Sequence, residues 1–333
     1  MNDKNTVIST RVRLARNIEG YPFPSHLKDE RQAKEIVRLV TSGVARLDEF
    51  KIYYMDNISE AEALSLKENH LISPNLVGKR GSVALINREE NVSIMINEED
   101  HLREQCIVKG LDLKLAYDTM SEIDRGISNS MKFAYDEQLG FLTACPTNLG
   151  TGLRASVMMF LPALTVCRMM PRVIKSIAHL GLTVRGIYGE GSQAEGFTYQ
   201  ISNEVTLGLT EEEIIARVEE VVEKLCALEE AKRIELKSGP SALDLQDEAM
   251  RSYGILTNCA KLTTEELISY TANVKFGACL GYIKIKDISA IDELVIKMRP
   301  SNINKASGRS LTPLERDVYR AQYTAKYLKK LTE

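Results

Sequence analysis

The pattern of apolar residues changes at about residue 210, and this change constrains the fold more than any other feature of the chain. Up to residue 209, short β-like runs alternate with turns and a few helical patches. We predict strands at 7–14, 51–55, 83–87, 92–97, 141–144, 183–188 and 198–207. From Thr210, which forms a capping box with Glu213, apolar residues recur at helical spacing instead. The chain therefore combines a mixed α and β part with a helical part.

A breaker segment, residues 237–240 (KSGP), follows the first long helix and marks our predicted domain boundary. Further helix starts are predicted at Thr263 with Glu266, at Ser289 with Asp292, and at Thr312 with Glu315. The length of 333 residues favours two domains, because single cores stop growing at roughly 250 to 300 residues. We predict a first domain at 1–236 and an all-helical second domain at 237–333.

Composition excludes several classes of protein. Lys and Arg number 43 against 46 Asp and Glu, so no net field draws the chain to nucleic acid or anionic lipid. The first residues lack the apolar stretch of a secretory signal, and the most apolar run, 157–167, is about half the roughly 20 residues of a membrane span. Six dispersed cysteines argue against a zinc ribbon, a CxxC site or a disulfide framework. We predict a cytoplasmic protein that binds neither membrane nor nucleic acid.

Two short runs place charged side chains on or beside predicted strands. In residues 9–16 (STRVRLAR), the two-residue period of a strand puts Arg11 and Arg13 on one face and apolar residues on the other. Residues 97–103 (NEEDHLR) place three consecutive acids after an apolar strand. Each run alone is also typical of a solvated surface.

Two further runs combine glycines with charged residues at strand ends. Residues 145–154 (CPTNLGTGLR) contain two glycines that allow close backbone approach to a ligand before Arg154. Residues 185–191 (RGIYGEG) couple an arginine and a carboxylate to glycines. Residues 189–194 also fit a GxGxxA dinucleotide fingerprint, but the segment after them is typical of a strand, so we reject a Rossmann site.

The four runs together resemble the signatures of the phosphagen (guanidino) kinase family, in the family's order, over residues from about 8 to 228. The resemblance implies an α+β fold in which an antiparallel β-sheet is flanked by helices. This chain differs from the small-molecule kinases of the family in two features. The N-terminal helical domain of those kinases has no match in this sequence, and the C-terminal helices of this sequence have no counterpart in those kinases. This combination is similar to the bacterial protein arginine kinases, which phosphorylate arginine side chains of proteins.

The resemblance implies ATP as the phosphoryl donor, with Mg²⁺ held mainly by phosphates and water and no dedicated metal ligands in the protein. Arginine suits this task because its planar fork binds phosphate at two points and stays charged. The residues assigned to the nucleotide are Ser9, Thr10, Arg11, Val12, Arg13, His70, Arg103, Arg154, Ala155, Ser156, Val157, Met158, Arg185, Gly186, Ile187, Tyr188, Gly189 and Glu190.

Three residues are implied to act on the acceptor guanidinium. Glu99 is the candidate base, because a guanidinium of pKa above about 12 must lose a proton as it attacks phosphorus. Glu190 is the second carboxylate, and Cys145 lies beside the guanidinium nitrogens as a thiolate. A packing role for Cys145 stays open.

The last helix carries a separate motif, residues 316–321 (RDVYRA). Arg316 and Arg320 lie one turn apart, and Asp317 can steady Arg320. The string is similar to the phosphoarginine pocket of the protein arginine kinases, which would also include Ala321. We expect a product-binding and allosteric site here and a dimer formed through this domain. A solvated basic face is the alternative.

The resemblance further implies protein substrates with accessible arginines, a role in bacterial quality control, and partners that include a Clp protease, a heat-shock repressor and an activator protein. Two other functions stay open: a kinase of a free small guanidine, and a phosphoarginine-binding module without turnover. Intact Glu99, Glu190 and all five arginines argue against the binding module, because a decayed site loses some of them.

Overall fold

The computed structural model describes residues 5–27, 29–45, 47, 49–186 and 195–332. The strands are β1 (Val7–Arg16), β2 (Phe50–Tyr54), β3 (Val83–Asn87), β4 (Val92–Ile96), β5 (Leu102–Lys109), β6 (Tyr135–Asp136), β7 (Gly140–Phe141), β8 (Leu153–Phe160), β9 (Leu182–Gly186) and β10 (Thr198–Asn203). The helices are α1 (Glu30–Val44), α2 (Glu60–Glu68), α3 (Leu113–Ser128), α4 (Pro162–Val166), α5 (Met170–Ala178), α6 (Glu211–Ser238), α7 (Ala242–Asn258), α8 (Thr264–Leu280), α9 (Ser289–Lys297), α10 (Pro300–Ser307) and α11 (Pro313–Thr332).

Eight strands form one antiparallel sheet in the order β2-β3-β4-β5-β1-β8-β10-β9, and β6 and β7 form a separate small ribbon. Helices α3 and α6 pack against the central strands, with α1 beside them. Their apolar faces and one face of the sheet enclose the largest hydrophobic core. The predicted α+β fold, an antiparallel sheet flanked by helices and followed by C-terminal helices, is confirmed.

The two faces of the central strands differ as the alternation in β1 predicts. Val12 and Leu14 are buried under the helices, while Arg11 and Arg13 point to the opposite face. The register to β5 and β8 extends both faces across the sheet. An apolar face and an arginine-bearing face therefore run through the same central strands.

Strands β5 and β8, on either side of β1, were not predicted. In β5 the buried face carries Glu104, which stands opposite Leu14 and breaks the apolar alternation. In β8 the run contains Arg154, Ala155 and Ser156, which have little intrinsic preference for strands. Pairing with β1 on both sides overrides these local signals.

Several predicted strand bounds need correction. The predicted strand 141–144 is wrong beyond Phe141, because the chain turns there toward a short 3₁₀ helix at Pro146–Asn148. The last predicted strand ends at Asn203 and not at residue 207. Part of the predicted strand 183–188 lies outside the described residues, which show β9 up to Gly186.

Capping chemistry sets most of the predicted helix starts. Both hydrogen bonds of a capping box are present at Thr210 and at Thr263, and Thr312 exchanges the same bonds with Glu315. The cap predicted at Ser289 is wrong: Ser289 is the first helical residue, and its N–H donates to Asp287 Oδ1 at 3.0 Å.

The C-terminal helices have a core of their own, centred on Leu256, Leu267 and Leu294. They also contact the sheet part of the molecule through a small apolar cluster that includes Phe160 and Phe276. Among the described helices, none combines the length and hydrophobicity of a bilayer span.

Candidate active site

Five arginines share the face of the sheet that α1, α3 and α6 leave uncovered. Arg13 on β1 stands directly opposite Arg154 on β8, and Arg11 follows on the same strand at the two-residue period. Arg103 on β5 and Arg185 on β9 have the same side-chain direction through the register of neighbouring strands. The structure therefore brings together cations that come from four separate strands.

These arginines repel one another. The pKa of Arg11 is lowered to about 10, mainly by burial and to a smaller extent by the charges of Arg103 and Arg154. The pKa of Arg13 is lowered well below its usual range by burial and then by the other four arginines. Arginine stays charged at neutral pH, so the repulsion persists in the folded protein. A bound polyanion would relieve it.

Two guanidinium nitrogens in this cluster have unused hydrogen-bonding capacity. Nε of Arg13 and Nε of Arg154 are buried and have no hydrogen-bond partner within the described part of the chain. A buried donor without a partner costs free energy. Phosphate oxygens would satisfy such donors, so the cluster fits a triphosphate.

Polar neighbours that the sequence did not identify hold two of the arginines in place. Arg11 Nη2 donates to Gln200 Oε1 at 3.0 Å, and Arg154 Nη2 donates to Ser202 Oγ at 3.3 Å. Gln200 and Ser202 belong to an alternation of polar side chains along residues 198–203. This alternation is typical of any half-exposed strand, so the sequence gives no sign that the two residues contact arginines.

Glu98 orients the next arginine. Its fully buried side chain accepts hydrogen bonds from Arg103 Nη1 at 3.1 Å and from Ser73 Oγ at 2.5 Å. Burial alone would raise the pKa of Glu98, but Arg103 and these hydrogen bonds outweigh it and the pKa is lowered. Glu98 therefore remains a carboxylate that fixes Arg103.

Asp100 and His101 of the run 97–103 have structural roles. Asp100 Oδ1 accepts from Asn17 Nδ2 at 2.6 Å and from the N–H of Ala144 at 2.7 Å. The ring of His101 is buried and accepts the N–H of Ile18 at Nδ1. These bonds attach the turn after β4 to the residues that follow β1 and to the segment that carries Cys145.

Glu99 is the exposed carboxylate of the run. Its backbone N–H donates to Glu98 Oε2 at 2.7 Å, which fixes the turn beneath it. The pKa of Glu99 is raised above its usual value, mainly by partial burial and then by the charges of Asp100 and Glu98. The charges of Arg103 and Lys79 act in the opposite direction but do not outweigh these causes. Glu99 thus lies at the edge of the arginine cluster as a more basic carboxylate than an ordinary glutamate.

The loop of residues 145–152 approaches the same face. Cys145 Sγ lies 3.1 Å from Thr147 Oγ1, and Cys145 is among the neighbours that act on the pKa of Arg154. Gly150 has φ +110°, and a Cβ there would lie 2.5 Å from the carbonyl oxygen of Thr206. A glycine is required for this close packing of the loop on the segment after β10.

His70 follows α2 with a left-handed backbone, φ 61°. Its carbonyl oxygen accepts from Gln105 Nε2 at 2.7 Å, which attaches it to the arginine face. The His70 side chain lies at the mouth of a cavity and is partly accessible to solvent. The surrounding protein still desolvates the ring, and the charges of Arg11 and Arg299 act in the same direction, so the pKa of His70 is lowered to about 4. His70 is therefore neutral at pH 7.

The other predicted nucleotide residues divide by face. Ser9, Ser156 and Met158 share the arginine face through the register. Four side chains lie on the opposite face and are buried there, namely those of Thr10, Val12, Ala155 and Val157. Gly186 ends β9, whereas Ile187, Tyr188, Gly189 and Glu190 lie outside the described residues, and with them the predicted second carboxylate.

The motif on α11 is partly inside the protein. Arg320 is 1% exposed and donates to the carbonyls of Met298 and Leu262, at 3.0 and 2.7 Å, and to Asp317 at 2.7 Å. Ala321 is fully buried, whereas Arg316 is half-buried and donates to the carbonyl of Leu311. Arg320 therefore holds three segments together, and Arg316 is the more accessible guanidinium.

Two family models match the chain. Residues 32–232 match the ATP:guanido phosphotransferase C-terminal catalytic domain, and the chain belongs to that family. Residues 242–333 match the C-terminal domain of the protein-arginine kinase McsB, so the helical segment is similar to that branch of the family.

Similar proteins agree with both matches. A protein-arginine kinase from Caldanaerobacter subterraneus subsp. tengcongensis is 41% identical over 98% of each chain, and one from Geobacillus stearothermophilus is 44% identical over 96% of this chain and 89% of its own. A duplicated taurocyamine kinase from Schistosoma mansoni, with bound transition state analog components, superimposes with a TM-score of 0.65 and 29% sequence identity. The match covers 80% of this chain and 40% of the taurocyamine kinase. A lombricine kinase gives TM-score 0.61 and 28% identity over 69% of this chain and 67% of its own.

Proposed function

We propose that this protein transfers the γ-phosphoryl group of ATP to arginine side chains of proteins. The observation that carries the proposal is the convergence of five arginines on one face with Glu99 at its edge. The protein-arginine kinases that match nearly the whole chain support the choice of acceptor. The matched C-terminal domain supports it further.

The arginine cluster is the triphosphate site in this proposal. The phosphoryl group in transfer carries its charge on peripheral oxygens, so catalysis depends on fixed positive charge and on position. Arg11, Arg103 and Arg154 are each held by a polar neighbour, which aims their guanidinium groups before ATP arrives. The mutual repulsion of these groups favours binding of a polyanion over an empty site.

Glu99 acts on the acceptor in this proposal. A guanidinium nitrogen of the substrate attacks the γ-phosphorus, a nitrogen–phosphorus bond forms, the bond to the bridging oxygen breaks and ADP leaves. The proton released by the attacking nitrogen passes to Glu99, whose raised pKa suits a proton acceptor. Glu190 is proposed as the second carboxylate around the guanidinium, with Cys145 beside it.

The arginine face fits anions and not a bare cation, so Mg²⁺ enters with ATP in this proposal. When bound, it neutralises charge between the β- and γ-phosphates. The phosphate oxygens and water supply its ligands. The residues of this chain hold the phosphates from the other side.

We further propose that residues 1–236 are the catalytic domain and that 237–333 bind phosphoarginine and dimerise. The separate core of the C-terminal helices supports this division. Phosphoarginine would contact Arg316, with Arg320, Asp317 and Ala321 shaping the pocket from inside. The exposed side of α11 supports access to Arg316.

A cytoplasmic role in bacterial protein quality control completes the proposal. The six cysteines are free thiols, which fits a reducing compartment. The Clp protease, the heat-shock repressor and the activator protein are proposed partners by resemblance alone.

One experiment tests the acceptor. The protein is incubated with Mg²⁺ and ATP and with either free arginine or casein, and products are analysed by mass spectrometry without acid, because the phosphorus–nitrogen bond is acid labile. We expect phosphoarginine within casein peptides and none on free arginine. Phosphate on free arginine alone would favour the small-guanidine kinase, and binding without ADP release would favour the binding module.

A further inference from the structure

A cavity of about 130 Å³ lies between the arginine-bearing face of the sheet and the C-terminal helices. Ser9, Met158 and Phe160 form its sheet wall. The opposite wall consists of residues from α8 and α9 and of Arg299, just before α10. This helical wall lies beyond residues 8–228, over which the sequence resembles the small-molecule kinases.

The cavity is continuous with the proposed phosphate site along the strands. Ser9 lies two residues before Arg11 on the same face, a separation of about 7 Å along β1. Met158 lies two residues beyond Ser156 on the same face of β8. A nucleotide whose phosphates contact the arginines would therefore place its base in the cavity.

The lining suits a flat heteroaromatic ring. Most of it is apolar, with an aromatic side chain on the sheet wall and aliphatic side chains on both walls, as is usual for ligand pockets. Apolar walls favour burial of a ring, but they do not orient it. Orientation requires fixed polar groups.

A fixed polar pair is present on the helical wall. Lys275 Nζ donates to both carboxylate oxygens of Asp292, at 2.6 and 2.7 Å, and also lies 4.5 Å from the centre of the Phe160 ring. The Lys275 side chain is 5% exposed, whereas that of Asp292 is 24% exposed. The cavity therefore presents an ammonium donor and a carboxylate acceptor held in one geometry.

We infer that α8 and α9 form the base-binding wall of the nucleotide site, and that Asp292 and Lys275 orient the base. A carboxylate accepts from the exocyclic amino group of adenine, and an ammonium group donates to a ring nitrogen. The C-terminal helical segment is then part of the nucleotide site. This inference rests on the proposed use of ATP.

Calorimetry with two ligands separates the base from the phosphates. Inorganic tripolyphosphate probes the arginine cluster alone, whereas ATP probes the cluster and the cavity. Val295→Phe fills the cavity from a half-exposed position of α9, and Lys297→Phe adds the same ring to the same helix outside the cavity. We expect Val295→Phe to weaken ATP binding at least tenfold and to leave the affinity for tripolyphosphate within twofold. Lys297→Phe should change neither affinity.

Several outcomes would overturn the inference. One is equal affinity of the unaltered protein for ATP and tripolyphosphate, and another is unchanged ATP affinity in a Val295→Phe variant that circular dichroism shows to be folded. Asp292→Asn, which keeps shape and removes the charge, should weaken ATP binding at least threefold with tripolyphosphate binding within twofold, and an unchanged ATP affinity counts against the role of Asp292. Failure of the unaltered protein to bind either ligand contradicts the proposed function itself, and the inference falls with it.

Discussion

Arg13 on β1 and Arg154 on β8 stand directly opposite each other in the antiparallel register, so two like charges occupy positions where a sheet usually pairs opposite or apolar groups. The folded protein retains this repulsion together with two buried, unpartnered guanidinium nitrogens. The proposed function explains the arrangement, because a polyphosphate bound between the two side chains would turn a destabilising pair into a binding site.

Replacing one member of this pair should separate stability from binding. Arg154→Met removes the repulsion and keeps an apolar stem, so we expect the free energy of unfolding to rise by about 0.5 kcal/mol. ATP affinity should fall at least about tenfold, because a charge-assisted hydrogen bond is lost. Urea unfolding and calorimetry measure the two effects, with exposed Arg172→Met as the control. Unchanged ATP affinity would contradict the proposed phosphate site.

Glu99→Gln should abolish proton transfer while sparing the nucleotide. We expect kcat to fall by about 10² to 10⁴, with ATP affinity within about twofold. In the unaltered enzyme, kcat should fall as pH falls through the pKa of Glu99, because the protonated carboxyl cannot accept a proton. Since this pKa is raised, the fall should begin at a higher pH than the pKa of an ordinary glutamate would give. Steady-state rates across pH test this. Near-normal turnover of the variant would rule out Glu99 as the base.

Glu104 predicts a pH dependence of stability. Its carboxyl is fully buried on the helix-covered face, beside the carboxylate of Asp124. Burial and then Asp124 raise the pKa of Glu104 well above its usual value, with Arg16 opposing. The folded state thus holds a proton that the unfolded state releases near pH 4.3, so stability is lost as pH rises between the two pKa values.

Glu104→Gln should remove this dependence. Urea unfolding at pH 5 and pH 8 should show a smaller loss of free energy in the variant, whose stability at pH 8 should equal or exceed that of the unaltered protein. Exposed Glu60→Gln is the control. The same slope in both proteins would show that Glu104 does not hold the proton.

Glu68 connects the C-terminal helices to the segment that ends in His70, at the cavity between the sheet and these helices. Its carboxylate accepts the backbone N–H groups of Ser301, at 3.0 and 2.9 Å, and of Asn302, at 2.9 Å. These bonds fix the start of α10 beside Arg299, which lines the cavity, and Glu68 lies two residues before His70. Glu68 is therefore a positioning residue for one end of the cavity.

Glu68→Ala should raise the KM for ATP several-fold with little change in kcat, because the wall loosens while the phosphoryl-transfer groups stay in place. The free energy of unfolding should fall by about 1 kcal/mol, as for a lost helix cap. Glu60→Ala at the other end of α2 should change neither quantity. A fall in stability without a rise in KM would reduce Glu68 to a structural role.

Arg316→Ala tests the proposed phosphoarginine pocket. We expect affinity for free phosphoarginine to fall about tenfold, because Arg316 is the accessible guanidinium of the motif. ATP affinity should stay the same. Calorimetry measures both, with exposed Lys326→Ala on the same helix as the control. Unchanged phosphoarginine binding would place the pocket elsewhere.

Much of the site was predictable because short-range patterns carry it. The two-residue period of β1 predicts that Arg11 and Arg13 share a face, and the structure confirms it. Local pattern alone could not distinguish the acids of the run 97–103, since three adjacent carboxylates look alike, and the choice of Glu99 came from the family resemblance. Side-chain hydrogen bonds in the folded chain assign Glu98 to Arg103 and Asp100 to Ala144, and Glu99 stays exposed.

The sequence by itself determined the order of elements, three of the helix caps and the residue types of the site, because these depend on neighbours a few positions apart. Tertiary structure decided which strands lie side by side, and therefore that arginines from four strands form one cluster. It also placed Glu104 in the core and the C-terminal helices over the cavity. Register and interdomain contact join residues a hundred or more positions apart, and local periodicity carries no information about such distances.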